Sequence, residues 1–178
     1  MNNLPTIFAD WFAYKNWQPR PHQLEMLELG LKGESALLIS PTGGGKTLAG
    51  FLPTLVELAV PHETDGIHTL YISPLKSLAV DIARNLSAPI AEMNLPISVE
   101  TRTGDTSHAK RQRQRQKPPD VLITTPEQVT LMIAAPTAAQ LLRNLKSVIT
   151  DELHSIVSQK RGVLLSLALS RLRTHAPL

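Results

Sequence analysis

The sequence contains no cysteine, which excludes a disulfide framework, thiolate metal sites and a thiol nucleophile. It also lacks any apolar run near the ~18–20 residues of a membrane span. The opening Met1-Asn2-Asn3 does not show the charged-then-apolar pattern of a secretory signal. These absences lead to the expectation of a soluble, cytoplasmic chain with no membrane partner. Charge of one sign is not in excess: 18 Lys+Arg stand against 15 Asp+Glu, and a net +3 does not by itself imply a nucleic-acid partner. The six histidines, at 22, 62, 68, 108, 154 and 175, include no pair three to five residues apart, so a helical histidine metal pair is excluded. What remains is 178 residues with 42% apolar and 19% charged content, suited to one globular domain with a sizeable core.

Aromatic residues are few and unevenly placed. Phe8, Trp11, Phe12, Tyr14 and Trp17 all fall in the first seventeen positions, which sets residues 1–34 apart from residues 35–178. Pro21 suits the first position of a helix over 22–31. Beyond Gly33, short apolar runs at 35–40, 69–73, 97–101, 121–125 and 147–150 read as strands. Most are continuous rather than alternating, as in strands covered on both faces. Helical spacing separates them: Leu75, Leu78, Ala79, Ile82 and Leu86, then Leu165, Ala168, Leu169 and Leu172. The alternation predicts an α/β domain with a mostly parallel sheet and helices on both faces. The basic stretch 110–117 (KRQRQRQK) precedes Pro118-Pro119, which ends any helix there; it reads as a solvated helix face.

The first strand run is followed by Ser40-Pro41-Thr42-Gly43-Gly44-Gly45-Lys46-Thr47 and a helical stretch over 48–58. Backbone N–H groups that wrap phosphate oxygens need side chains absent and positive φ permitted, which three glycines supply. Thr42 and Gly43 to Gly45 would cradle the phosphates, Lys46 would reach the β/γ-phosphates, and the Thr47 hydroxyl would ligate Mg²⁺. The helix N-terminus favours the same anion. Ser40 takes the place of the first glycine in the usual pattern. Pro53 should bend the helix, because it cannot bond back to Ala49.

The run at 147–150 leads into Asp151-Glu152-Leu153-His154. In open parallel sheets, ligands bind at the carboxyl ends of strands. Asp151 is therefore the expected magnesium partner, since Mg²⁺ needs only one or two carboxylates beside phosphates and water. Glu152 can orient or deprotonate the water that attacks the γ-phosphate. His154 reads as a hydrogen-bonding partner of the acids. This places Lys46, Asp151, Glu152 and His154 in the catalytic set, with ATP and Mg²⁺ as cofactors and Lys46 and Asp151 meeting around one metal–triphosphate.

With these motifs the chain resembles the first RecA-like P-loop NTPase domain of superfamily 2 DExH-box helicases, in the Lhr-type (large helicase-related) group. The residues that carry the resemblance are 17–23 (WQPRPHQ), 40–47 (SPTGGGKT), 73–86 (SPLKSLAVDIARNL), 101–106 (TRTGDT), 124–127 (TTPE), 151–154 (DELH) and 160–162 (KRG). The resemblance implies that Gln23 hydrogen-bonds adenine and that Arg20, with an aromatic such as Trp17, helps shape that site. It implies that His154 relays nucleotide state. It also places Ser73, Pro74 and Lys76, Thr103 and Gly104, and Thr124 and Thr125 along a single-stranded DNA backbone, where hydroxyls and loop N–H groups bind phosphates without reading sequence. Lys160 and Arg161 are further candidates for nucleic-acid or interdomain contacts. The similarity to bacterial ligase-associated members implies DNA repair, with DNA ligase and nuclease partners.

Such helicases bind ATP between two RecA-like domains, and a Ser-Ala-Thr motif follows the DExH strand. That motif does not occur here, so the expectation is an N-terminal fragment inactive alone, partnered by a second RecA-like domain and C-terminal domains. An RNA track stays open, because phosphate contacts do not distinguish the sugars. A guanine-nucleotide switch would carry Asn-Lys-x-Asp, which is absent.

Overall fold

The computed structural model describes residues 4–41, 43–61, 65–174 and 176. The chain divides into two compact units, Met1–His62 with Leu86–Ile97, and Glu63–Asn85 with Ser98–Leu178.

The first unit is helical. α1 (Thr6–Tyr14) buries Phe8, Trp11 and Phe12, whose spacing puts them on one face. Trp11 and Phe12 meet edge to face at 5.2 Å. α2 (Pro21–Leu31) starts on its proline as the sequence predicts, and α3 (Lys46–Glu57) follows the glycine loop. α4 (Lys76–Glu92) contributes its residues from Leu86 on to this unit. There Glu92 accepts from the Trp11 indole at 2.7 Å and from Lys15 at 2.5 Å, and these two donors, Lys15 first, hold its carboxyl below the usual range.

Three helices end alike. Asn16, Gly33 and Asn94 take positive φ, and the two amides at each turn bond back to the last helical carbonyls. Glycine and asparagine are the residues that adopt this left-handed cap readily. α3 continues through Pro53. A Cβ at Gly30 of α2 would stand 2.5 Å from Pro53 Cγ, so the glycine lets the two helices approach over the proline ring.

The second unit holds the sheet: β1 (Thr69–Ile72), β2 (Val99–Arg102), β3 (Val121–Thr124) and β4 (Ser147–Thr150), in the order β2-β3-β1-β4 and parallel throughout. Four of the five expected strands form. Residues 35–40, expected to contribute the first, pair with no strand among the described residues; Leu37 is 74% and Ile39 87% exposed. An apolar run becomes a strand only when a neighbour satisfies its backbone.

Helices connect the strands: α5 (His108–Gln116) between β2 and β3, then α6 (Pro126–Ile133) and α7 (Ala138–Leu142) before β4. α8 (Leu153–Val157) and α9 (Lys160–Leu172) follow it, and α9 packs on α6 and α8. Leu70, Ile72 and Leu122 from the sheet join Val129, Met132, Leu141, Leu142, Ile156, Leu165, Ala168 and Leu172 in one buried core. The basic stretch is indeed a helix, with Ser107 accepting from the Lys110 amide as its cap. Among the described residues no helix is long and apolar enough to cross a membrane.

Candidate nucleotide and nucleic-acid sites

In the first unit the glycine loop closes on its own atoms. Gly43 and Gly45 have φ of 77° and 75°, where a side chain is strained. Gly44 is required for a different reason: a Cβ there would meet Ser40 Oγ at 2.1 Å and the Pro41 carbonyl at 2.8 Å. Thr42 lies outside the described residues. Lys46 donates from Nζ to the Ser40 carbonyl at 2.9 Å and to the Pro41 carbonyl at 3.3 Å. Gly45 is the N-cap of α3, and no acidic residue occupies the first turn, so the free amides beginning at Lys46 and Thr47 favour an anion.

Gln23 is 4% exposed and already engaged. Its carbonyl oxygen accepts the Arg20 amide at 2.9 Å, and its Nε2 donates to the Gly45 carbonyl at 3.4 Å. His22 Nε2 lies 2.8 Å from the Gly44 carbonyl, which fixes a proton on that nitrogen. The segment around Gln23 thus supports the loop through two side chains. His22 carried no signal in the sequence beyond its place beside Gln23.

In the second unit the sheet register decides the arrangement. Ile72 pairs with Thr124 and with Thr150, and Thr124 pairs with Arg102. One row of the sheet therefore ends all four strands, and the segments 73–76, 103–106, 125–127 and 151–154 leave from a single rim. The resemblance already implies one backbone for the segments at 73–76, 103–104 and 124–125; the register brings these and 151–154 to one edge.

At that rim Asp151 Oδ1 accepts the Glu152 amide at 2.9 Å and Oδ2 accepts the Tyr71 hydroxyl at 2.5 Å. Burial, with the hydrogen bond to Asp151 next, pushes the Tyr71 phenol far above its ordinary range, so it stays a donor. Each Asp151 oxygen keeps a lone pair beyond these bonds, a donor set that suits a hard cation such as Mg²⁺. The described residues contain no cluster of three or more His, Asp or Glu that would cage a metal alone. Tyr71 escaped sequence reasoning, although a phenol inside a buried apolar strand signals a polar partner. Glu152 adopts φ 47° and ψ 43° at the N-cap of α8. A glutamate in the left-handed region is strained by about 1 kcal/mol, the kind of backbone feature that marks functional turns. His154 Nε2 is 3.3 Å from Glu152 Oε2.

The proposed nucleic-acid residues differ in exposure. Thr124 is fully buried, and its hydroxyl donates to the Arg102 carbonyl at 2.7 Å. Ser73 is buried with its hydroxyl on the Leu75 carbonyl, and Pro74, Thr103 and Thr125 are also buried. Lys76 and Gly104 are exposed. Lys76 Nζ pairs with Asp105 Oδ1 at 2.8 Å. Arg111, from the basic stretch, donates to the carbonyls of Thr106 at 2.9 Å, Thr103 at 3.2 Å and Gly104 at 3.0 Å, which ties the 103–106 loop to α5. Only the tertiary fold reveals that role.

A strand-end rim on a parallel sheet and a glycine loop capping a helix define a RecA-like nucleotide-binding domain. Residues 20–177 match the DEAD/DEAH box helicase family, and the chain belongs to that family. It is 42% identical over 184 residues to the Lhr helicase/probable uracil glycosylase of Mycolicibacterium smegmatis, covering 97% of this chain and 12% of that protein. It is 40% identical over 183 residues to ATP-dependent helicase Lhr-Core protein 2 of Thermococcus barophilus, covering 94% and 21%. Among solved structures, the Mycobacterium smegmatis helicase Lhr bound to ssDNA and AMP-PNP superposes with a TM-score of 0.89 at 39% identity, covering 98% of this chain and 23% of that one. The chain thus spans between about an eighth and a quarter of the length of these relatives.

Proposed function

We propose that this chain is the nucleotide-binding first lobe of a longer cytoplasmic, ATP-driven motor that moves 3′ to 5′ along single-stranded DNA and unwinds duplexes during DNA repair. The observation that carries the reading is the single rim, where the acidic pair and three candidate backbone-binding segments end one row of a parallel sheet. The Lhr relative of similar structure is described as bound to ssDNA and AMP-PNP, which supports DNA and an adenine nucleotide as ligands.

In this reading Lys46 and the amides of Gly43 to Thr47 bind the phosphates, with Thr42 completing the loop. Gln23 and Arg20 are the adenine-side residues of this reading, Gln23 exchanging its long bond to the Gly45 carbonyl for one to the base. Asp151 and Thr47 would hold Mg²⁺, which supplies charge neutralisation at the phosphates. Glu152 takes the proton of the attacking water, and His154, paired with Glu152, links that event to the strand. Ser73, Pro74, Lys76, Thr103, Gly104, Thr124 and Thr125 form the strand-binding rim, with Lys76 and Gly104 at its exposed face and the buried members fixing its shape. Arginines of a second RecA-like domain would face the γ-phosphate. Without such a finger the rate falls ~10³–10⁵-fold, roughly 4–7 kcal/mol of barrier, so the isolated chain turns over negligibly. DNA ligase and a nuclease are the proposed repair partners.

The test measures ATP hydrolysis by the full-length protein with matched DNA and RNA strands, beside Lys46→Ala and Glu152→Gln. Expected are stimulation by DNA over RNA and loss of turnover in both variants with the fold intact. Equal turnover in either variant would sink the reading, and stronger stimulation by RNA would change the track.

A further inference from the structure

Arg161 was a candidate for touching nucleic acid, but its guanidinium is already committed within the second unit. Nε donates to Glu127 Oε1 at 2.6 Å, and Nη2 donates to Glu127 Oε2 at 3.3 Å and to the Pro74 carbonyl at 2.8 Å. This side-on grip on a carboxylate plus a third acceptor uses the planar fork of arginine, and a lysine ammonium cannot reproduce it. Burial pushes the Glu127 carboxyl up, but the bond from Arg161 and its own amide outweigh this and hold it below its ordinary range.

Arg161 also sits where a cation is unfavourable on local grounds. It lies in the first turn of α9, where the helix dipole opposes positive charge and no acidic residue compensates. Glu127 lies in the first turn of α6, where a carboxylate is favoured. The pairing therefore joins the starts of two helices, and through Pro74 the segment that leaves β1 as well.

The adjacent residue explains how this pair connects to the acidic strand end. A Cβ on Gly162 would stand 2.6 Å from the Ile156 carbonyl oxygen and 2.9 Å from Val157 Cα. These are backbone atoms at the end of α8, so the start of α9 rests directly on α8. α8 in turn begins at the strained Glu152. A continuous packed path runs from Asp151-Glu152 through α8, Gly162 and Arg161 to Glu127 and Pro74. A left-handed glutamate, a backbone conformation that costs energy outside glycine, stands at one end of that path.

We propose that Arg161 is a positioning residue that, seated by Gly162 against α8, couples the Asp151–Glu152 turn to the 73–76 and 124–127 segments, and is not itself a phosphate ligand. This rests on the reading of the rim as a single-strand binding surface.

The experiment uses the full-length protein and compares wild type with Arg161→Ala, Arg161→Lys, Glu127→Ala and the charge swap Arg161→Glu with Glu127→Arg. It measures the concentration of an oligo-dT strand giving half-maximal ATPase stimulation, and the salt dependence of oligo-dT binding. Arg161→Ala and Glu127→Ala should both raise the half-maximal concentration by about fivefold or more, the lower end of ordinary coupling. Arg161→Lys should fall between them and wild type, and the swap, which restores the ion pair but leaves the Pro74 carbonyl without its donor, should recover only part of the loss. The salt slope of Arg161→Ala should match wild type. A direct phosphate contact instead predicts a slope shallower by about 0.7 in Arg161→Ala and wild-type behaviour in Glu127→Ala, which overturns the proposal. So does an Arg161→Ala protein as responsive to DNA as wild type. Wild type that does not respond to DNA at all overturns the rim reading itself.

Discussion

Replacing Tyr71 by phenylalanine removes one oxygen and keeps a ring that is 1% exposed. The lost bond, 2.5 Å to Asp151 Oδ2, joins a neutral donor to a carboxylate. Hydrogen bonds to charged groups contribute about 1.5–3 kcal/mol. Asp151 is only half-buried and keeps the Glu152 amide, so water replaces part of the loss. With that discount the cost falls to about 1–2 kcal/mol, at or below the lower end of that range. For a chain of this length it lowers the melting temperature by about 2–8 °C. The functional effect is larger than the structural one. Freed from the phenol, the carboxylate can rotate about its remaining bond, and in the proposed role of Asp151 as a Mg²⁺ ligand, loss of such a supporting partner lowers metal affinity or activity about 10–100-fold. Calorimetry of this chain measures the first quantity, and Mg²⁺ titration of ATP hydrolysis by the full-length protein measures the second. An unchanged Mg²⁺ requirement alongside the lowered melting point would refute the positioning of Asp151 by Tyr71. Unchanged melting would refute the bond.

Two further outcomes concern groups the fold holds at a cost. Arg102 is 4% exposed, its Nε has no hydrogen-bond partner among the described residues, and burial, then Arg115 and Arg111, push its guanidinium down to about 10. Because the native group gives up its proton more readily than the unfolded one, this cost is present at neutral pH and relieved only above about pH 10. Arg102→Met should therefore leave stability unchanged or raise it on the order of 1 kcal/mol at pH 7. Its difference from wild type should shrink above pH 10, and urea unfolding at the two pH values checks both. Gly30→Ala should destabilise by about 1–3 kcal/mol through overpacking on Pro53. A melting point equal to wild type would show that α2 and α3 separate freely.

The periodic apolar runs reported four strands and the main helices, because a buried strand or an amphipathic helix writes its environment into consecutive residues. The glycine loop and the DELH turn stand out in the sequence for a related reason: φ above zero and bare backbone demand glycine, and the acidic pair directly follows the apolar run that becomes β4. Residues 35–40 form no strand because strand formation is settled by a partner's backbone and not by the run itself. Other features depend on residues far apart in number. Tyr71 meets Asp151, Arg161 meets Glu127 and Pro74, and Arg111 holds the 103–106 carbonyls. In the sequence a tyrosine in an apolar run and an arginine in a basic stretch look like core and solvated surface. Composition and spacing determined which residues could be candidates for nucleotide chemistry. The parallel register, which aligns four strand ends in one row, decided which side chains share a rim, since hydrogen-bond pairing between strands is a property of folded space alone.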